Sequence, residues 1–252
     1  MHSKPGRTRP VTSVFNIKNK RNSMKVQSPV IQAQNLYYEI NHHHNQLRIL
    51  QGLNLSIISG EQVAIVGCSG SGKSTLLSLL AGLDVPTRGN VQINGQLFSS
   101  LDEDGRAAVR AMTMGFVFQS FQLLPALTAL ENVMLPLQLK GSANAQALSM
   151  AALDKVGLSE RTSHYPKELS GGEQQRVAIA RAFATAPAIL FADEPTGNLD
   201  QETGQRVIEL LFGLNKDAGT TLVLVTHDMQ LANRCERKLL LSQGVLTEVG
   251  AA

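Results

Sequence analysis

Acidic residues are missing from the first 25 positions, cysteine occurs only twice in 252 residues, and no apolar run approaches the length of a membrane span. Each absence excludes something. Two cysteines, Cys68 and Cys235, make no disulfide framework and suit a reducing compartment. The longest apolar runs, such as Leu222 to Val225 and Lys238 to Leu241 with its basic start, fall far below the ~20 residues that cross a bilayer. The chain is therefore expected to be soluble by itself, with no direct membrane insertion. Residues 1–28 hold no continuous apolar segment, which predicts no secretory signal.

The charge is unevenly placed. Lys4, Arg7, Arg9, Lys18, Lys20, Arg21 and Lys25 give the first 25 residues +7, so the remaining 16 basic residues face 20 acidic ones and the body carries about −4. That balance does not argue for nucleic-acid binding. Residues 1–28 read as a basic, disordered arm, polar and without period. Such an arm could meet anionic lipid or nucleic acid; the preferred reading is a start-site artefact, or a dispensable tail, with translation beginning at Met24.

The organising stretch is Gly67-Cys68-Ser69-Gly70-Ser71-Gly72-Lys73-Ser74-Thr75, spaced G-x-x-x-x-G-K-S between an apolar strand pattern (62–66) and a helical one (75–83). Its glycines let consecutive N–H groups turn inward as an anion nest. Lys73 is expected to reach the β- and γ-phosphates, Ser74 to offer its hydroxyl to Mg2+, and the following helix N-terminus to favour negative charge. Cys68, within the loop, is read as filler in preference to a redox switch.

Strand patterns precede the loop at 30–40 and 50–58, separated by Asn41-His42-His43-His44-Asn45, read as a solvated turn in preference to a metal site. After it come a turn at 84–89, a strand at 91–93, a turn at Asn94-Gly95, a helix at 103–112 and a strand at 115–118 ending at Gln119. Residues 125–158 turn helical, then Leu169-Ser170-Gly171-Gly172-Glu173 opens another helix. The apolar runs 189–192 and 221–225 read as strands buried on both faces, ending in Asp193-Glu194 and Thr226-His227-Asp228. Strands alternating with helices after a phosphate loop predict an α/β fold, a P-loop NTPase with a parallel sheet whose strand ends carry function.

Asp193, after four apolar residues, is the expected Mg2+ partner. Glu194 is the candidate base that deprotonates an attacking water, and His227 is placed to hold that water and Glu194 in line.

Taken with Leu169-Ser170-Gly171-Gly172-Glu173-Gln174-Gln175-Arg176, this set resembles the nucleotide-binding subunit of an ATP-binding cassette (ABC) transporter over about residues 30–248. The resemblance makes 169–176 the signature, Gln119 the Q-loop glutamine and a further metal contact, Asp193 and Glu194 Walker B, Asn198-Leu199-Asp200 the D-loop, and His227 the switch histidine. It implies a RecA-like parallel core with an antiparallel β subdomain and an inserted helical subdomain at about 120–168, within an ATPase domain of 29–252. It implies ATP and Mg2+ as ligands, and a head-to-tail homodimer. Each ATP would lie between one copy's phosphate loop and the other's Ser170, Gly171, Gly172, Glu173 and Asp200. Physics supports the second half-site, because Ser170 and the N–H groups of Gly171 and Gly172 open a helix that has no phosphate of its own.

The stretch Ala192 to Asp200, together with Gly115 to Gln119, resembles the LolD/MacB group, whose members work with an integral-membrane permease. That implies a subunit in the cytoplasm, peripheral to the inner membrane. Phe121, Leu123, Leu124 and Pro125 are read equally as permease docking surface or core. The family's adenine-stacking aromatic is replaced by Ile40, with Tyr37 and Tyr38 as candidate substitutes. A GTPase base-reading motif is absent, because 215–218 ends in Ala218. The rival readings are a non-transport ABC ATPase and a regulatory subunit with little turnover. Lys73 and Ser170 stand only 97 positions apart, without sustained heptads between them, and there is one cassette, so the chromosome and translation types fit poorly.

Overall fold

The computed structural model describes residues 28–42 and 45–250. The basic arm falls almost wholly outside them, as do His43 and His44 of the histidine turn. Two long strands, β1 (Pro29–His42) and β2 (Asn45–Ile58), pair antiparallel. They run closer to the histidines than the pattern 30–40 and 50–58 predicted, because the backbone pairing continues past Ile40 and Leu47 to His42 and Asn45. Along β2 the alternate residues Leu53, Leu55 and Ile57 are buried. With β4 (Arg88–Ile93) and β5 (Gln96–Leu97) they form a sheet ordered β2-β1-β4-β5. Asn94 and Gly95, both at positive φ, make the tight turn between its last two strands. Where the pairing slips around Asn35, the carbonyl of Asn35 comes so near Gly89 that a Cβ there would lie 2.2 Å from it.

The second sheet is ordered β10-β9-β3-β8-β7-β6. It is built from β3 (Gln62–Val66), β6 (Met114–Phe118), β7 (Ile189–Asp193), β8 (Thr221–Thr226), β9 (Arg237–Ser242) and β10 (Val245–Val249). All pairs are parallel except β9 with β10. Its central strands are apolar throughout because each faces two cores. Val63, Ile65, Ile189, Phe191, Val223 and Val225 join the cluster under the antiparallel sheet; their alternates Ala64, Val66, Leu190, Ala192, Leu222 and Leu224 join the cluster on the other side. This is the period-two rule of a strand written twice.

Helix α1 (Lys73–Leu80) fills the space between the sheets, with Leu76, Leu77, Leu79 and Leu80 buried. It starts and stops earlier than the expected 75–83. Gly82, at φ 62, turns the chain so that the Leu83 N–H returns to the Ser78 carbonyl at 2.8 Å. Helix α2 (Glu103–Thr113) precedes β6 and is capped by Asp102. The stretch between β6 and β7 holds α3 (Ala129–Leu139), α4 (Ala145–Lys155), two single 3-10 turns and α5 (Gly171–Ala184). α3 and α4 pack on each other and on α5. Helix α6 (Gln201–Ala218) and the short α7 (Met229–Ala232) follow β7 and β8 respectively. No helix among the described residues is long and apolar enough to cross a membrane.

Candidate nucleotide site

The C-terminal ends of β3, β8, β7 and β6 lie side by side, Val66 opposite Thr226, Val225 opposite Asp193, and Asp193 opposite Phe118. Whatever follows these strands is therefore gathered on one edge, as ligands of open parallel sheets require. A cleft of about 1100 Å3 opens there, lined by residues 68–75 with Gln119, Glu194 and His227.

The loop is held open by its own backbone. Gly72, at φ 96, is the N-cap of α1 and offers no side-chain cap, so the helix's first N–H groups are left for an anion. Gly67 is packed so closely that a Cβ would meet the Leu241 carbonyl at 2.4 Å, whereas Gly70, at φ 77, faces open space. Lys73 is buried and donates from Nζ to the carbonyls of Gly67 (2.9 Å) and Cys68 (3.0 Å). Its ammonium thus braces the loop from within. Ser71 Oγ is buried without a hydrogen-bond partner.

Asp193 ends β7 beneath this loop. Burial pushes its carboxyl above the usual range, the Ser74 hydroxyl pulls it back as a hydrogen-bond donor, and Glu194 and Lys73 act in opposite directions. Its Oδ1 is buried with no partner. Glu194 follows at φ 46, a left-handed backbone unusual for a residue with a Cβ. The Glu194 N–H donates to the Val225 carbonyl at 2.9 Å, while Oε2 accepts from the Thr226 hydroxyl at 3.3 Å. His227 Nδ1 lies 2.9 Å from Glu194 Oε1, which places the shared proton on the ring, since the carboxylate can only accept. His227 is largely exposed and Glu194 largely buried, so the imidazole stands between the carboxylate and open solvent.

Gln119 lines the cleft, but its amide is engaged elsewhere: Nε2 donates to Asn198 Oδ1 and Asn198 Nδ2 donates to the Gln119 carbonyl, both at 3.1 Å.

The signature residues lie apart from this cleft. Ser170, Gly172 and Glu173 line a different hollow of about 300 Å3 with Arg176, Thr203 and Arg206. Ser170 caps α5 and Glu173 returns to Ser170 N (2.9 Å) and Oγ (2.8 Å), a reciprocal capping box. A Cβ on Gly172 would lie 2.4 Å from Thr203 Cγ2, so α5 and α6 approach closely here. Asp200 caps α6 through the Thr203 N–H at 3.0 Å, which holds its carboxyl below the usual range.

Two segments that sequence reasoning did not find also line the nucleotide cleft: Leu47 to Ile49 with Gln51 from β2, and residues 240–244 from the β9–β10 turn. They reach it only through sheet order, since β9 sits beside β3 and the Gln51 N–H donates to the Gly244 carbonyl at 2.9 Å. Tyr37 lies under the Arg88 guanidinium, whose carbon is 4.1 Å from the ring centroid, and the Tyr38 hydroxyl donates to Asp84; neither ring lines the cleft, nor does Ile40. Leu47, the cross-strand partner of Ile40, does line it.

The pattern of the family described as ABC transporter matches residues 50–197, from within β2 to the turn after Glu194. The chain belongs to the ABC transporter family. It is an ATP-binding subunit with the ATPase fold of that family. Among ABC proteins it is 52% identical over 221 residues to the uncharacterized ATP-binding protein YbbA of Escherichia coli K12, covering 87% of this chain and 97% of that one. The segments Phe118 to Phe121 and Ser170 to Phe183 point to that relative from sequence. The lipoprotein-releasing system ATP-binding protein LolD of Hydrogenovibrio crunogenus is 51% identical over 217 residues, 85% of this chain and 94% of that one. Among solved ABC structures, the cassette MJ0796, dimeric and bound to ADP and Pi in a post-hydrolysis state, superposes with a TM-score of 0.80 at 40% identity, covering 88% of this chain and all of that one.

Proposed function

We propose that this ABC ATPase works as a homodimer that closes on two Mg-ATP molecules and drives a separate integral-membrane permease of the lipoprotein-release or MacB type. The observation that carries the proposal is the division of anion sites: the phosphate-loop cleft and the capped signature helix open on different hollows of one chain. A triphosphate can use both only when a second copy supplies the signature. The LolD relative and the dimeric MJ0796 cassette support the same reading.

In this reading the α1 N-terminus and the loop amides bind the β- and γ-phosphates, and Lys73 turns from the Gly67 and Cys68 carbonyls toward them. Asp193, with an unpartnered buried oxygen and the Ser74 hydroxyl on the same carboxylate, fits the hard, oxygen-only preference of Mg2+. When bound, the ion would neutralise charge developing on the transferred phosphoryl group. Gln119 would add its amide only after releasing Asn198. Glu194 takes the proton of the attacking water, and His227 and Thr226 keep its carboxylate aimed. The division into an ATPase domain of 29–252 and a helical subdomain near 120–168 belongs to the same proposal.

For the permease, an apolar groove of about 430 Å3 lies between α2, β6, α3 and α5, lined by Phe116, Phe118, Leu124, Leu135 and Leu139. Leu124 and Leu139 are exposed, whereas Leu123 turns into the core, which divides 121–125 between docking and packing. Such a partner would hold the subunit on the cytoplasmic face of the inner membrane.

Ser170→Arg tests the proposal. A guanidinium at the α5 N-cap should abolish ATP-driven association and turnover while leaving Mg-ATP titration of the monomer unchanged. Turnover equal to the native chain would refute the cross-subunit site.

A further inference from the structure

The fifth residue of the signature stretch is a carboxylate, and the cross-subunit reading brings a triphosphate from the second copy to that place. Two anions in one contact repel, so the structure must already dispose of the Glu173 charge. It does so on both oxygens. Oε2 accepts from the Ser170 N–H and hydroxyl. Oε1 lies 3.1 Å from Arg161 Nε. Arg161 is held in turn by His164, whose Nε2 lies 3.2 Å from Nη1. This arginine comes from the 3-10 turn Ser159–Arg161, packed against α4 and outside the signature itself.

The Ser170 hydroxyl has one proton, now given to Glu173. If it is to donate to a phosphate, Oε2 must lose a donor at the moment a negative group arrives. We infer that Arg161 is a positioning residue of the shared site. It neutralises Glu173 and draws that carboxylate away from the incoming triphosphate while Ser170 changes partner. Arg161 touches no nucleotide in this arrangement and acts only through Glu173. The inference rests on the cross-subunit reading, and Ser170→Arg tests that reading separately.

The test is a double-mutant cycle of Arg161→Met and Glu173→Gln. It is read as ATP-driven association of the Glu194→Gln protein, as turnover against chain concentration with Glu194 intact, and as melting and Mg-ATP titration of each variant. Arg161→Met should weaken association on the order of tenfold, because two half-exposed ion pairs per dimer each contribute little. The loss should shrink as salt rises. Glu173→Gln should bring the Arg161→Met protein back to within about twofold of Glu173→Gln alone, since a neutral amide needs no counter-charge. A loss of the same size whether Glu173 is native or carries Glu173→Gln would overturn the inference and leave Arg161 a packing residue; so would no loss at all. Should Arg161→Met fail to fold, Arg161→Gln serves in the same cycle. If Ser170→Arg proves harmless, it is the cross-subunit reading that falls.

Discussion

Glu194→Gln removes one function and spares the rest. Residue 194 sits at φ 46, so its backbone is strained, and glutamine inherits that strain without adding to it. The partners also survive. The amide oxygen can accept from His227 Nδ1 as Oε1 does now, and the amide NH2 can donate to Thr226 Oγ1, whose oxygen already accepts the Asp228 N–H at 3.0 Å. What is lost is the site that takes a proton. General-base catalysis contributes about 10^2–10^4 in rate, or roughly 3–5 kcal/mol of barrier. Phosphate release under saturating Mg-ATP should therefore fall by that factor, with the melting temperature of the nucleotide-free protein within about 2 °C of native. Mg-ATP affinity should persist, and sedimentation with Mg-ATP should show a long-lived dimer. Turnover within about threefold of native would refute Glu194 as the base. A large fall in ATP affinity would instead mean that Glu194 shapes the cleft.

Three further outcomes follow from the geometry. Lys73→Ala removes a buried ammonium that braces the loop, and a charged hydrogen bond to phosphate is worth about 1.5–3 kcal/mol, so equilibrium titration should show Mg-ATP binding weakened on the order of 10- to 100-fold. Asp193→Asn should raise the melting temperature of the nucleotide-free protein at pH 7 while abolishing Mg2+-dependent turnover. Burial raises the folded-state pKa of this acid, so its stabilising contribution is complete below the unfolded value and is lost as pH rises through the raised one. The stabilising effect of the substitution should accordingly vanish in melts run near pH ~4, close to the ordinary carboxylate value. Gly89→Ala forces a Cβ onto the Asn35 carbonyl at positive φ and should lower stability by about 2–4 kcal/mol in urea melts, with Mg-ATP affinity of the surviving folded fraction unchanged.

The phosphate loop, Asp193, Glu194 and His227 were legible because each is announced locally: a glycine spacing, or an acid or histidine closing a run of apolar residues. Their convergence was legible too, since parallel strands end on one edge. The second wall of the cleft was not. Leu47 and Ile49 lie before the strand pattern 50–58, and Gln51 meets Gln243 across 192 positions of the chain. Nothing in local pattern carries such a pairing. The sequence leaves Tyr37 and Tyr38 as open candidates for adenine because no local pattern says what holds either ring, whereas the fold puts Tyr37 against Arg88 and Tyr38 on Asp84. Gln119 shows a different gap: its motif position indicates a role but not that Asn198 already occupies its amide. Helix α1 ended early because a glycine at φ 62 outweighed the apolar period.

A cleft that holds only half of an anion site has a consequence for dose. On the proposed cross-subunit reading, free copies must find each other before either can turn over, so dilution alone should silence them and surplus chain should burn little nucleotide. A partner that binds two copies side by side replaces that search with a tethered encounter, at an effective concentration that reaches the millimolar range for short spans. On that reading, the separation of the two hollows would make ATP consumption proportional to assembled transporter rather than to expressed subunit.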